Sequence, residues 1–204
     1  MTFVKTKIIN EQFFDDLTNQ STQYVLGFLY ADGNLHTNPK KKFSFVSKDC
    51  EILEKMQKVL QTDYKIGTNA DKNFQLQIYS DYAYDRLTQL GLHPRKSLDI
   101  LYPDWANRHF IRGYFDGDGT IYKQHDRPSY RCDFISGSRD FIIGLEKHLS
   151  ILGLEYHYRH DEKHANCFKV YIHRKSDVLK LKSILYDSAE IYLGRKWSIF
   201  QKWV

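Results

Sequence analysis

Apolar and polar residues alternate in several short stretches of this chain. Phe74, Leu76 and Ile78 point one way while Gln75, Gln77 and Tyr79 point the other, and Phe168, Val170 and Ile172 oppose Lys169, Tyr171 and His173 in the same manner. A period of two is that of a strand with one buried face. Strand pairs are predicted at about 34–38 with 41–47 and 120–125 with 129–136, and further hairpins near 64–79 and 154–173. Amphipathic helices are expected after them, started at Ser47-Lys48-Asp49 and Ser138-Arg139-Asp140, with others near 80–91 and 175–187. Two more helices are predicted at Val25-Leu26-Gly27-Phe28-Leu29-Tyr30-Ala31-Asp32-Gly33 and Ile111-Arg112-Gly113-Tyr114-Phe115-Asp116-Gly117-Asp118-Gly119. Ser21 and Thr22 are the N-cap candidates for the first, and Pro103-Asp104-Trp105 precedes the second.

The order helix, hairpin, helix, hairpin, helix therefore occurs twice, and each copy closes on an Arg-Lys pair, Arg95-Lys96 and Arg195-Lys196. Asp32 and Asp118 lie 86 positions apart and Lys96 and Lys196 lie 100 apart, so the second copy is longer, mainly in its hairpins. Phe45 to Asp49 and Phe134 to Asp140 read as counterparts that differ by a small insertion. The expected fold is α+β, with two pseudo-symmetric αββαββα repeats at 1–100 and 110–204 and a connector at 101–109. Ser97 to His109 is too short for a free linker, so both repeats should pack as one saddle about a pseudo-two-fold axis.

Small residues recur at helical spacing in both motif helices, Gly27 with Ala31 and Gly113 with Gly117. Such stripes let two helices meet backbone to backbone. Each is followed by an aspartate, Asp32 or Asp118, and by a glycine suited to end the helix in a left-handed conformation. Paired helices would bring both acids to one end, where the helix dipole disfavours each by about 0.3–1 kcal/mol. A hard divalent cation resolves that conflict, because such ions prefer carboxylates and backbone carbonyls, here Asp32, Asp118 and the carbonyls of Ala31 and Gly117.

Both segments resemble the LAGLIDADG motif of homing endonucleases, the second most closely, in Phe-Ile-Arg-Gly-Tyr-Phe-Asp-Gly-Asp-Gly-Thr-Ile at 110 to 121. The resemblance runs from about Asn10 to the C-terminus, and two motifs in one chain imply the monomeric form. Tyr30 stands where the second motif has Asp116, a position that is not the metal ligand in the family. The resemblance implies cleavage of both strands of a long DNA site across the minor groove, leaving short 3′ overhangs. It implies Mg2+ held by Asp32 and Asp118, with Mn2+ able to substitute and Ca2+ supporting binding without cleavage. Lys96 and Lys196 match, by their place after the last helix of each repeat, the basic residue that family members use near the water or phosphate. Two other readings stay open: a maturase that binds a group I intron RNA, and a DNA-binding regulator that no longer cuts.

The polar strand faces suit double-stranded DNA, since glutamine pairs with adenine and arginine or lysine with guanine in a major groove that admits a two-stranded ribbon. Gln75, Gln77, Tyr79, Lys169, Tyr171 and His173 are candidates, and Lys42, Ser44, Arg131 and Asp133 extend the same faces. Lys48 and Arg139 end strands that run toward the centre; as an unequal pair they would make the half-sites chemically different. Lys40, Lys41 and Arg127 sit at hairpin tips or strand ends and suit phosphate.

Composition adds bounds. The chain has 204 residues, a formal charge of +5 and 15% aromatic residues, so it can build a sizeable core and is moderately basic. It holds no apolar run of membrane-spanning length, and its start does not resemble a signal peptide, so a soluble intracellular protein is expected. The ending Trp203-Val204 lacks the His-Asn that protein splicing uses, which argues against an intein. Cys50, Cys132 and Cys167 are far apart and expected to be reduced. His157, His160, His164 and Cys167 invite a zinc reading, but alternation puts His157 and His160 on opposite faces. An EF-hand at Asp116 to Gly119 would need a glutamate where Arg127 stands.

Overall fold

The computed structural model describes residues 7–125, 130–161 and 165–202. The first repeat comprises α1 (Gln20–Asp32), β1 (Gly33–His36), β2 (Lys42–Ser47), α2 (Cys50–Val59), β3 (Ile66–Thr68), β4 (Phe74–Ile78) and α3 (Asp81–Gln89). The second comprises α4 (Arg108–Asp118), β5 (Thr120–Lys123), β6 (Tyr130–Ser136), α5 (Arg139–Ile151), β7 (His157–His160), β8 (Phe168–Ile172) and α6 (Lys175–Tyr186). A short 3-10 turn at Lys96–Leu98 follows α3, and a helix, α7 (Gly194–Gln201), follows α6. The strands form two antiparallel sheets in the orders β1-β2-β4-β3 and β5-β6-β8-β7. This is the double αββαββα arrangement that the hydrophobic pattern predicts.

The motif helices begin at asparagines. Asn19 Oδ1 accepts from the backbone N–H of Ser21 and Thr22 at 2.8 and 3.2 Å, and Asn107 Oδ1 accepts from His109 and Phe110 at 2.8 and 3.4 Å. Ser21 and Thr22, the expected caps, instead lie inside the first turn, where Thr22 donates its hydroxyl to the Phe13 carbonyl. Replacing Asn19 or Asn107 by alanine leaves two helix N–H groups without that acceptor. Each change is expected to cost about 1 kcal/mol in thermal denaturation.

At the other end, the glycines do not adopt the expected left-handed conformation. Gly33 and Gly119 have φ of −82° and −76° with extended ψ, so each helix runs directly into a strand. Their role is steric. A Cβ on either would lie 2.5 Å from the carbonyl oxygen of Leu29 or Phe115, four residues back.

The two motif helices meet through their glycines. A Cβ on Gly27 would lie 2.0 Å from the Phe110 carbonyl oxygen, and one on Gly113 would lie 2.0 Å from the Tyr24 carbonyl oxygen. These reciprocal approaches mark a pseudo-two-fold axis between α1 and α4. Ala31 and Gly117 meet one turn further on, where a Cβ on Gly117 would lie 2.4 Å from that of Ala31. Around this seam Val25, Leu26, Phe28, Leu29, Phe110, Ile111 and Phe115 are buried. The apolar strand faces, including Phe43, Phe45, Leu76, Phe134, Val170 and Ile172, complete the core beneath the outer helices.

Strand register corrects the alignment of the repeats. Ser44 pairs with Gln77 and Asp133 with Tyr171, and Ser47 and Ser136 face Phe74 and Phe168. Ser47 thus corresponds to Ser136, Lys48 to Gly137 and Asp49 to Ser138. The buried positions Ile52, Leu53, Met56 and Leu60 continue in step with Phe141, Ile142, Leu145 and Leu149. No insertion separates the segments, and Lys48 and Arg139 are not counterparts. The offset grows from 86 at the aspartates to 89 at Ser44 and Asp133, 94 at Gln77 and Tyr171, and 100 at the lysines. The hairpins carry only part of this growth, because α6 is three residues longer than α3.

Candidate active site and nucleic-acid interface

Asp32 and Asp118 are the last residues of α1 and α4, so the glycine seam sets both acids side by side. A Cβ on Gly117 would lie 3.7 Å from Asp32 Oδ2. Asp32 is exposed and Asp118 half-buried, yet protein surrounds both closely enough to displace much of their water. That desolvation is the main cause that raises the Asp118 carboxyl to about 7, with the charge of Asp32 adding to it and Lys96 and Lys196 opposing it. Asp32 is also raised by desolvation, against the pull of the same two lysines. A proton on Asp118 bonds to Asp32, which raises the first and lowers the second. Two oxygen acids that resist being charged together form a donor set for a hard divalent cation.

The lysines lie beneath the helix ends. Lys96, in the 3-10 turn, is 6% exposed and donates from Nζ to the Ala31 carbonyl at 3.0 Å. That carbonyl, expected among the metal ligands, is therefore shared with an ammonium. Lys196, in α7, is 3% exposed and donates to the carbonyls of Phe115, Asp116 and Gly119. The Phe115 carbonyl also accepts from the Gly119 N–H at 2.9 Å, and cations favour this end of a helix dipole. All three Lys196 donors are thereby committed to backbone, which leaves none for the water or phosphate that the family resemblance assigned to it. Burial depresses both ammonium groups, Lys196 to about 8. Lys196→Met is expected to destabilise the fold by about 2 kcal/mol or more, and Lys96→Met by less, in parallel thermal melts.

Asp116 does more than its motif position indicated. It is buried and accepts from Tyr24 Oη at 2.9 Å, Tyr186 Oη at 2.8 Å and the Leu193 N–H at 2.8 Å. Tyr30, its counterpart, donates to the Leu90 carbonyl at 2.5 Å. Both residues tie a motif helix to the segment that closes its repeat, one as acceptor and one as donor. Arg112 reinforces the second tie, with Nε 2.9 Å from the Ile191 carbonyl and Nη1 3.1 Å from that of Leu185. The sequence signal for this network was the pair Arg112 and Asp116 flanking Gly113 among the apolar residues Phe110, Ile111, Tyr114 and Phe115.

The sheets present the expected polar faces. On the first, Lys42 Nζ donates to Gln77 Oε1 at 3.3 Å and Gln77 Nε2 to Gln75 Oε1 at 2.8 Å, with Tyr79 5.6 Å from the ammonium. On the second, Arg131 lies over Tyr171, which stacks on His157 at 5.1 Å, and His173 lies 4.8 Å from His157. Lys169 sits 3.9 Å from Asp161. Two candidates are corrected. Ser44 is 1% exposed and Asp133 is 6% exposed, so larger neighbours cover both on the faces they were expected to present. Lys48 and Arg139 are exposed, Lys40 is exposed, and Lys41 pairs with Asp85 at 2.5 Å.

His157 and His160 do fall on opposite faces, one against Tyr171 and the other stacked on Phe168. No group of three or more His, Cys, Asp or Glu suited to a metal occurs among the described residues, and His164 and Arg127 lie outside them. No helix among the described residues is long and apolar enough to cross a membrane.

Residues 105–186 match the model of the LAGLIDADG-like domain. No curated protein matches the chain by sequence. Among solved structures, the meganuclease I-SmaMI bound to uncleaveable DNA superposes with a TM-score of 0.65 at 14% identity, covering 92% of this chain and 90% of its own. The LAGLIDADG meganuclease I-AabMI bound to uncleaved DNA gives 0.66 at 15% identity, covering 91% and 88%. The homing endonuclease I-WcaI bound to its DNA recognition sequence gives 0.63 at 13%, covering 87% and 84%. At these identities the structures speak for the fold alone, and the domain match speaks for residues 105–186. With Gly27 packed on Gly113, Asp32 beside Asp118 and a LAGLIDADG-like domain matched at residues 105–186, this chain is similar to the two-motif LAGLIDADG proteins in fold and in the arrangement of its motif helices.

Proposed function

We propose that this protein is a site-specific double-strand DNA endonuclease that uses a divalent metal. The observation that carries the reading is the pair of carboxylates at the joined ends of α1 and α4, from which both sheets begin. β1 starts one residue after Asp32 and β5 two residues after Asp118, so each polar face leads outward from the acids. A duplex laid along these faces offers one phosphate of each strand to the centre across its minor groove. Cutting both there would leave short 3′ overhangs. I-SmaMI, with the same fold, binds an uncleaved DNA target in the presence of calcium ions.

Asp32 and Asp118 would hold the metal, and Mg2+ is the proposed ion, with Mn2+ a substitute and Ca2+ supporting binding alone. Their carboxylates fit it, because a cation favours the charged form of two acids that desolvation, and for Asp118 the neighbouring charge, hold raised. When bound, the ion supplies Lewis acidity at the phosphoryl oxygen and acidifies water. The chain's own residues do the rest. Lys96 and Lys196 neutralise the carbonyl ends of the motif helices and place positive potential under the reacting phosphates. Lys40, Lys48 and Arg139 suit backbone phosphate and hold register. Gln75, Gln77, Lys42, Lys169 and Tyr171 face the base edges.

The test is digestion of a randomised or genomic DNA library with Mg2+, against Ca2+ and the Asp118→Asn protein, with the ends sequenced. Ends that need Mg2+, share one long site and carry 3′ overhangs establish the reading. Specific binding with no cut in any metal overturns the nuclease and leaves a DNA-binding protein. Absence of DNA binding overturns both, and intron RNA then becomes the ligand to assay.

A further inference from the structure

Asp133 poses a problem for any protein whose sheet faces meet a polyanion. It sits in the middle of the second face, almost fully covered, and brings negative charge to a surface that would lie against phosphates. Its partner resolves the conflict. Arg131, two residues earlier on β6, donates from Nε to Asp133 Oδ1 at 2.6 Å and from Nη2 to Oδ2 at 3.3 Å. The guanidinium carbon lies 3.6 Å from the centroid of the Tyr171 ring, and Tyr171 is the cross-strand partner of Asp133. The carboxylate fixes the guanidinium within its plane and the ring fixes the plane itself.

The side held by Asp133 uses one N–H of Nε and one of Nη2. Of the five donors on an arginine, three remain, and two of them lie parallel on the free edge formed by Nη1 and Nη2. Two parallel donors match one base in the major groove: guanine, whose O6 and N7 are adjacent acceptors. Adenine has a donor beside its N7, cytosine presents a donor, and thymine offers one acceptor beside a methyl group.

Resting on the DNA-cleaving reading above, we infer that Arg131 reads a guanine in the half-site faced by the second sheet, and that Asp133 is its positioning residue. Arg131 pairs across β5 with Tyr122, four residues beyond Asp118. That places it about 13 Å along the strand from the paired acids, or about four base-pair steps. The first repeat has no such device. Its counterparts to Arg131, Asp133 and Tyr171 are Lys42, Ser44 and Gln77, a cation without a fork, a hydroxyl without charge and an amide without a ring. The first sheet instead links Lys42, Gln77 and Gln75 through amides, which suit adenine. The target is therefore asymmetric, with the guanine demand confined to one half.

The experiment measures base preference at every position of the selected site, at fixed salt with Ca2+, for the full chain and for Arg131→Lys and Asp133→Asn. Arg131→Lys keeps the charge and loses the fork. The wild type is expected to prefer guanine at one position of one half-site by about 10- to 100-fold. Arg131→Lys should erase that preference there and nowhere else, while Asp133→Asn should weaken it several-fold at the same position. Salt dependence should stay unchanged in both. Arginine on phosphate, or an ion pair that only braces the strand, predicts equal loss on all sequences or a lower melting temperature with base preference intact, and either result overturns the inference. A wild type that binds DNA with no guanine requirement overturns it alone. A wild type that binds no DNA overturns the functional reading with it.

Discussion

Gly113→Ala is expected to lower stability by more than about 3 kcal/mol, the upper end of the cost of overpacking a core. Inside an ordinary helix the same change gains up to about 1 kcal/mol, because alanine loses less backbone entropy. Here the sign reverses. The new methyl would meet the Tyr24 carbonyl oxygen at 2.0 Å and the Phe28 nitrogen at 2.9 Å, both of them backbone of a buried helix. No rotamer relieves a clash between a Cβ and main chain, so α1 and α4 must separate along their seam. Separation also moves Asp32 from Asp118, so nuclease activity should fall together with stability. Gly27→Ala meets the Phe110 carbonyl oxygen at the same distance and should behave alike. Gly67→Ala is the control, since nothing lies within 4 Å of its Cβ. Chemical denaturation of the three variants settles the point, and a Gly113→Ala protein as stable as the wild type would disprove the close seam.

Asp118→Asn is expected to reduce cleavage by about a thousandfold or more while leaving DNA affinity in Ca2+ within a few-fold, and to stabilise the metal-free protein at neutral pH. The second effect follows from the raised carboxyl. Its pKa is 3.8 unperturbed and about 7 in the fold, so between those values the folded state holds more protons than the unfolded chain. Stability from this group is therefore present in full below about 4 and lost as pH rises through 7. His109, which burial holds down at about 4, acts oppositely over much of that window. The informative quantity is thus the difference between wild type and Asp118→Asn. In chelator, that difference should grow in favour of the variant from pH 4 to pH 7.5, and Mg2+ should erase it by stabilising only the wild type. Melting curves over this range, with and without Mg2+, test it. A constant difference would mean that the fold does not raise the Asp118 carboxyl.

The period of two in Phe74 to Ile78 and Phe168 to Ile172, and the glycine spacing in the motifs, were enough to place the elements in order and to pair the central helices. Each is a local pattern, because a strand face or a helix stripe is set by residues two to four positions apart. The turn and cap details were read less well. Asn19 displaced Ser21 and Thr22 because the helix starts two residues earlier than the motif suggested, and Gly33 and Gly119 serve a steric need that the local sequence shares with a helix stop. The repeat alignment missed its register for a related reason. Ser47 and Ser138 are both polar residues before a helix, and only the pairing with Phe74 and Phe168 shows that Ser47 answers to Ser136.

The sequence by itself determined the two-repeat α+β fold, the seam at Gly27 and Gly113, and the meeting of Asp32 with Asp118. Tertiary structure alone decided what the buried charges do. Asp116 finds Tyr24, Tyr186 and Leu193, all at least 70 positions away, and Lys196 finds carbonyls about 80 positions away. Asp133, which its strand position offers to DNA, is turned instead onto Arg131. A charge in low dielectric must be paired, and its pairing is chosen among whatever groups distant segments bring within about 3 Å. Periodicity says which face a residue occupies, and only the packed chain says which partner is waiting there.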